Sequence, residues 1–363
     1  MTAEDEHGDD NGGEGEHGDG KGGTDGHIRR RPGVLKVVGF TLAGLLTLGV
    51  AGAGWVYWHL NANITSVDIN SALGDDRPAK SMTTPSGSPS ASPVPTEALN
   101  ILVLGSDSRE GKENQKLGGG DSGGARSDTA MVVHLDAGRT EATVVSIPRD
   151  TLVTRPSCPL ADGESTEVAY NVMFNSAYSV GGPACAVKTV ETMTNVRMDH
   201  YIEIDFSGFA DLVDALGGVT VTTDEDIDDE DSHLTLEAGT HHLDGEQALA
   251  LARTRHGIGD GSDLGRIELQ HELVRGLLEQ VSSTNLLTNP ARLYSVADTL
   301  TGSLTTDTGL DSLSELIGLG QSLQGLSVDD MTTLTMPVVP APWDRNRVVA
   351  DEPEARELWA SLR

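Results

Sequence analysis

Asn100-Ile101-Leu102-Val103-Leu104-Gly105-Ser106-Asp107-Ser108-Arg109 begins as a short apolar run, stops at a glycine and turns polar. A run of that length with no alternation reads as a strand buried on both faces. Two more runs repeat the pattern. Residues 129–135 follow Arg126-Ser127-Asp128, and residues 142–147 lead into Pro148-Arg149-Asp150, with a turn at 136–140 between them. Beyond them, helical and strand-like segments alternate. Residues 175–196 read as a helix whose true start is marked by Gly181-Gly182-Pro183. Residues 201–205 read as a strand, and 206–216 as a helix carrying Phe209, Leu212, Val213 and Leu216 at helical spacing. Gly217-Gly218 stops that helix before a strand at 219–222. Residues 245–254 and 264–281 are expected helices. The C-terminal part adds helix at 310–323, strand at 331–339 and helix at 352–362. The mixture predicts a sheet covered by helices, an α/β or α+β sandwich.

Each of the first three expected strands is closed or flanked by an island with an arginine or an aspartate, and two more polar islands follow, Arg253-Thr254-Arg255-His256 and Asp263-Leu264-Gly265-Arg266. Guanidinium binds phosphate oxygens in a forked, charge-assisted geometry, so arginines gathered at strand ends suit a multiply charged phosphate. Aspartates beside them suit a hard divalent cation shared with that phosphate. Each island also has an ordinary reading. Gly105-Ser106-Asp107 is a common strand-to-loop turn, Asp128 beside Arg126 a surface ion pair, and Arg149 beside Asp150 a salt bridge. Pro148 restricts Ile147 to extended geometry, which ends the strand and presents Arg149 at its rim. Arg253 and Arg255 share a face if that stretch is extended and not if it is helical. His256 stands alone and is left out of the site. Asp263 can cap the helix after it. Ile267, Val274, Leu277 or Leu278, and Val281 form that helix's core stripe. Arg266 and Gln270, four apart, share a face beside the stripe. A guanidinium near a helix N-terminus adds two sources of positive potential, which favours pyrophosphate. The glycine-rich stretch 110–125 reads as a flap over the site or as a tolerated insertion.

Taken in order, the islands resemble the LytR–CpsA–Psr family, membrane-anchored phosphotransferases of the Gram-positive cell wall. The resemblance runs from about residue 99 to 278, with a weaker echo to the C-terminus. It implies an extracytoplasmic α-β-α sandwich with an apolar channel for a polyprenyl chain between sheet and helices. It also implies transfer of a glycopolymer from a polyprenyl-pyrophosphate carrier to a peptidoglycan hydroxyl. By that match Asp107 and Asp128 hold Mg²⁺, or Mn²⁺ in its place. Arg126, Arg149, Arg253, Arg255 and Arg266 cradle the phosphoryls with Gln270, and Asp263 or a metal ligand accepts the acceptor's proton. Two rival readings use the same residues: a lipid-pyrophosphate or wall-polymer binding protein without turnover, and a pyrophosphatase in which water replaces the sugar hydroxyl.

The rest of the 363-residue chain sets the address. A formal charge of −31 opposes nucleic-acid binding. Residues 1–36 form an acidic, glycine-rich tail, expected disordered and cytoplasmic, ending in basic Arg29, Arg30, Arg31 and Lys36. Residues 37–58 carry no charge and as a helix span roughly 33 Å, enough to cross a bilayer. Trp55, Tyr57 and Trp58 suit the far interface, with the N-terminus inside. A cleaved signal peptide is the alternative. Residues 59–97 read as a linker, ambiguous over 61–79 and Ser/Pro-rich over 80–96. Residues 98–363 are the expected catalytic domain. Cys158 and Cys185, the two cysteines, are expected to form a disulfide outside the membrane. The acidic run 224–231 lacks EF-hand spacing and reads as a solvated loop. No P-loop, Gly-x-Ser-x-Gly or dinucleotide fingerprint occurs, so nucleotide-dependent and serine-hydrolase readings have no support.

Overall fold

Strands that are apolar on both faces need cover on both, and the central sheet receives it. The computed structural model describes residues 34–75, 77–80, 97–106, 127–160, 163–255, 263–284 and 289–363, with side chains from 43 onward. Helix α1 (Val34–Asn63) leads into β1 (Thr65–Val67) and a short α2 (Ile69–Leu73). Strands β2 (Leu99–Ser106), β3 (Ser127–Leu135) and β4 (Ala142–Ser146) form an antiparallel meander. The hairpin β5 (Leu152–Arg155) and β6 (Ala169–Met173) precedes α3 (Ser176–Thr194), β7 (His200–Asp205) and α4 (Phe206–Ala215). Four short strands follow: β8 (Val219–Thr223), β9 (Ile227–Asp229), β10 (Leu234–Leu236) and β11 (Gly239–Leu243). Then come α5 (Gly245–Arg253), α6 (Asp263–Ser283), α7 (Pro290–Ser303), β12 (Leu304–Asp307) and α8 (Leu313–Ser322). The chain closes with β13 (Met331–Thr335), the hairpin β14 (Val338–Ala341) and β15 (Asp344–Ala350), and α9 (Glu354–Ser361).

The main sheet is mixed and seven-stranded, in the order β1-β12-β7-β2-β3-β4-β13. Alternation along its strands explains the two layers. Leu102, Leu104, Val132, Val145 and Tyr201 join a core with Val187 and Val190 of α3 and Trp359 of α9. Their neighbours Ile101, Met131 and Val144 join a core on the other face, against which Val274 and Leu278 of α6 pack. A third core lies among α4, α5, α6 and the β8–β11 pair, built on Val213, Leu251, Leu273 and Val219. Two glycines permit close approach there. A methyl on Gly245 would lie 2.1 Å from the Ala210 carbonyl oxygen, and one on Gly276 would lie 2.4 Å from that of Thr220.

The structure departs from the expected elements where tertiary contacts outweigh local signals. Helix α3 is two helical pieces that meet at non-helical Gly181 and Gly182: the longer one begins after that pair, as expected, and a shorter one from Ser176 precedes it. The single strand expected at 331–339 is two, β13 and β14. β1 and α2 come from the stretch that the sequence left ambiguous. β1 adds to the sheet edge beside β12, and Ile69 and Leu73 are buried. The acidic run is not all solvated loop: it contains β9, and Asp229 is 2 % exposed.

The chain divides into two compact units, Met1–Gly54 and Trp55–Arg363. In the first, Leu45, Leu46, Leu48 and Val50 of α1 are exposed. Among the described residues no helix is both long and apolar enough to cross a membrane. That differs from the span expected at 37–58, of which the side chains of 37–42 lie outside the described residues. In the second unit the last turns of α1 are fastened to the fold. His59 and Asn63 meet Asp298 Oδ1 of α7 at 3.1 and 3.0 Å, and the Leu313 N–H donates to Asn61 Oδ1.

Cys158 and Cys185 form the expected disulfide, with Cα atoms 5.1 Å apart and a sequence separation of 27. Closing a loop of that length stabilises by about 3–4 kcal/mol in the chain-entropy model. The Cys158→Ser, Cys185→Ser double variant is expected to lose that amount in urea unfolding under non-reducing conditions. A second prediction concerns His271 on α6, whose Nε2 lies 2.9 Å from Ser146 Oγ of β4. Burial, aided by Arg275, holds the imidazole pKa down to about 4, against an ordinary 6.5. Between those values the unfolded chain binds the proton and the folded one does not, so stability falls as pH drops from 6.5 towards 4. Urea melts of His271→Asn across that window should show a shallower decline than the parent.

Candidate functional site

The meander puts the start of β3 beside the end of β2, and the end of β4 against β3 on its other side, with Ser146 opposite Met131. Pro148 follows β4, its carbonyl accepting from Thr151 Oγ1 at 2.6 Å, so Arg149 leaves the sheet at a fixed angle. There Arg149 Nη1 donates to Asp128 Oδ1 of β3 at 2.6 Å. Its own backbone N–H donates to Asp263 Oδ2 at the first residue of α6, at 3.2 Å. One turn along α6, Arg266 Nη2 donates to Asp263 Oδ1 and, at 3.0 Å, to the Asp128 carbonyl. Asp263 therefore receives two arginine residues that arrive from different elements.

Arg266 is 3 % exposed. Burial lowers its pKa to about 10, opposed by the nearby Asp263 carboxylate, while the like charges of Arg149 and Arg255 add to the lowering. It stays cationic at neutral pH. Gln270 is buried one turn further on and donates to Thr129 Oγ1 at 2.9 Å and to the Ala252 carbonyl at 3.0 Å. It ties α6 to β3 and to α5.

The Arg-x-Arg segment resolves the choice left open by the sequence. Arg253 is the last residue of α5, Thr254 is non-helical, and Arg255 lies beyond. Arg253 stacks over the Phe206 ring, 4.9 Å from its centroid, a cation–π contact. Both arginines, with Arg266, Gln270 and Asp128, line a cavity of about 570 Å³. Much of its lining is apolar: Val103 and Met131 of the sheet, Phe209 and Leu212 of α4, Leu277 of α6 and Leu300 of α7. Arg149 and Asp263 are not among the lining residues; they brace Asp128 and Arg266 from behind.

The geometry thus brings Asp128, Arg253, Arg255, Arg266 and Gln270 to one cavity, with Arg149 and Asp263 bonded to them. Asp107, Arg126, His256 and the stretch 110–125 lie outside the described residues. Asp229, Asp231 and Ser232 also line the cavity, and sequence reading passed over them. The signal available was the alternation within Ile227-Asp228-Asp229, masked by the surrounding acidic residues. Such a site can receive a ligand with an anionic head and a long apolar tail.

Comparison with known proteins agrees with this form. The LytR_cpsA_psr family matches residues 56–363. The "Probable cell wall biosynthesis protein LcpB" of Corynebacterium glutamicum is 34 % identical over 349 residues, covering 93 % of this chain and 75 % of that protein. The polyisoprenyl-teichoic acid–peptidoglycan teichoic acid transferase TagU of Bacillus cereus is 36 % identical over 193 residues, 53 % of this chain and 56 % of that protein. A LytR-Csp2A-Psr enzyme from Actinomyces oris superposes with a TM-score of 0.58 at 25 % identity, covering 82 % of this chain and 95 % of that one.

If the arginines form an anion site, inorganic pyrophosphate should raise the melting temperature. At about 100 times its Kd the expected stabilisation is about 2.7 kcal/mol. The Arg253→Ala, Arg255→Ala double variant should lose most of that shift. An undiminished shift in the double variant would contradict the assignment.

Proposed function

The chain belongs to the LytR_cpsA_psr family, and from that premise we propose that it is a phosphotransferase of the cell wall. In this reading it moves a glycopolymer from a polyprenyl-pyrophosphate carrier to a hydroxyl of peptidoglycan. The name of the Bacillus relative specifies teichoic acid as the polymer. The observation that carries the reading is one cavity whose largely apolar lining also includes Arg253, Arg255 and Arg266. The arginines fit a diphosphate, and the apolar walls fit a prenyl chain. Pyrophosphate already contains the bond to be broken, so the protein has to position groups and neutralise charge.

The acceptor oxygen attacks the phosphorus on the polymer side of the diphosphate. A new P–O bond forms, the bond to the bridging oxygen breaks, and polyprenyl phosphate departs. The hydroxyl proton passes to Asp128, the carboxylate of the cluster that lines the cavity. Arg253, Arg255 and Arg266 hold the phosphoryl oxygens, and Arg149 keeps Asp128 oriented through its 2.6 Å bond. Gln270 fixes the α5–α6 junction on which Arg255 and Arg266 depend. In this reading the uncharged stretch 37–58, part of whose side chains lie outside the described residues, is the membrane anchor, and residues 98–363 are the extracytoplasmic catalytic part. The exposed Leu45, Leu46, Leu48, Trp55 and Trp58 support it. Burial of those side chains in lipid removes the cost of exposing them.

Among the described residues no group of three or more His, Cys, Asp or Glu could hold a metal ion. A Mg²⁺ or Mn²⁺ ion needs less here, because such ions keep waters and take one or two carboxylates together with phosphate oxygens. Asp128 fits that requirement: it lines the cavity, and one of its oxygens is the Arg149 acceptor. Asp128, with Asp107, would hold the ion, which when bound supplies positive charge at the phosphate oxygens.

Two measurements test the reading. Asp128→Asn should slow polymer transfer on the order of 100-fold, and chelation should abolish transfer while leaving lipid-pyrophosphate binding in place. Transfer at full rate in chelator, or in Asp128→Asn, removes the proposal.

A further inference from the structure

Arg255 lies beyond the end of α5, so its direction depends on whatever holds its backbone. The holder is a carboxylate from the acidic run. Asp229, 2 % exposed on β9, accepts the Arg255 N–H on Oδ2 at 2.7 Å. Its other oxygen, Oδ1, accepts the N–H groups of Asp231 at 2.9 Å and Ser232 at 3.3 Å, closing the turn between β9 and β10. A second bond runs parallel: Ser232 Oγ and Thr254 Oγ1 lie 3.0 Å apart, and Thr254 is 1 % exposed. One buried side chain therefore ties the β9–β10 turn to the arginine segment. A buried carboxylate is costly unless its lone pairs are used, and here three N–H donors use them.

We infer that Asp229 is a positioning residue that aims Arg255 into the cavity, making the β9–β10 turn part of the headgroup site. The inference rests on the reading of the cavity as a lipid-pyrophosphate site. It assigns Asp229 a role in ligand affinity and transfer through Arg255, with no contact of its own to the ligand. A displacement near 1 Å at such a site costs on the order of 100-fold in rate.

The substitution Asp229→Asn separates positioning from folding. Asparagine retains one acceptor oxygen. With that oxygen kept towards the Asp231 and Ser232 N–H groups, its NH₂ faces the Arg255 N–H, donor against donor. The turn survives and the arginine link breaks. The full chain in detergent is assayed for polyprenyl-pyrophosphate Kd and for transfer rate as the parent, Asp229→Asn, Arg255→Ala and the double variant. Asp229→Asn should weaken binding and slow transfer nearly as much as Arg255→Ala. In the Arg255→Ala background the same change should have little further effect, since the two act as one unit. Equal losses from Asp229→Asn in both backgrounds, parent-like behaviour of Asp229→Asn, or an Arg255→Ala variant that binds and transfers normally each overturn the inference. A parent that binds the lipid and transfers nothing sinks the transferase reading instead, and the Kd comparison then decides the role of Asp229 alone.

Discussion

Asp263 receives the backbone N–H of Arg149 on one oxygen and the guanidinium of Arg266 on the other, while Arg149 reaches across to Asp128. Two cations and two anions thus alternate within hydrogen-bonding reach in partly buried ground. Without the carboxylates, placing Arg149 and Arg266 together would combine desolvation with like-charge repulsion, each amplified by the low local dielectric. Closed on itself, this set is nearly neutral and stiff. In the proposed reading, Arg266 of this set meets the headgroup together with Arg253 and Arg255, all three of which line the cavity. Arg149 and Asp263 brace the set without lining the cavity, while Asp128 and Arg266 belong to both.

The sheet makes that convergence possible. Because β2, β3 and β4 are buried on both faces, their register is tightly specified, and their ends meet at one edge. α6 starts with Asp263, and Arg266 and Gln270, one and two turns on, bond to Asp128 and Thr129 at the start of β3. The apolar cavity lies where α4, α6 and α7 stand off the sheet.

The strands and long helices could be read from the sequence because their signals are local. Leu102 and Leu104 alternate with Ile101 and Val103, yet all four are apolar, which announces a two-sided strand. α4 carries Phe209, Leu212 and Val213 at helical spacing. The arginines could be found because guanidinium has few rivals for phosphate. What escaped depends on distant partners. β12 is four residues long and exists because β7 and β1 flank it. α7 has a weak apolar stripe, and its packing partners are far away in sequence. Asp229 looks like its acidic neighbours until β9 pairs with β10 and turns its side chain inward. Val281, expected in the core stripe of α6, is 45 % exposed, whereas Leu269 and Leu273 are buried, because α6 is gripped by β8 as well as by the sheet.

Gly245 and Gly276 let main chain touch main chain, α5 against α4 and α6 against β8. Spacing set by backbone contact does not shift when a side chain is exchanged elsewhere. The scaffold around the chamber is therefore gauged independently of its upholstery. Phe209, Leu212 and Leu277 can be trimmed or enlarged to alter bore and depth while the arginine mouth keeps its dimensions. In the proposed reading, tail length and head recognition become two separately adjustable properties of one fold.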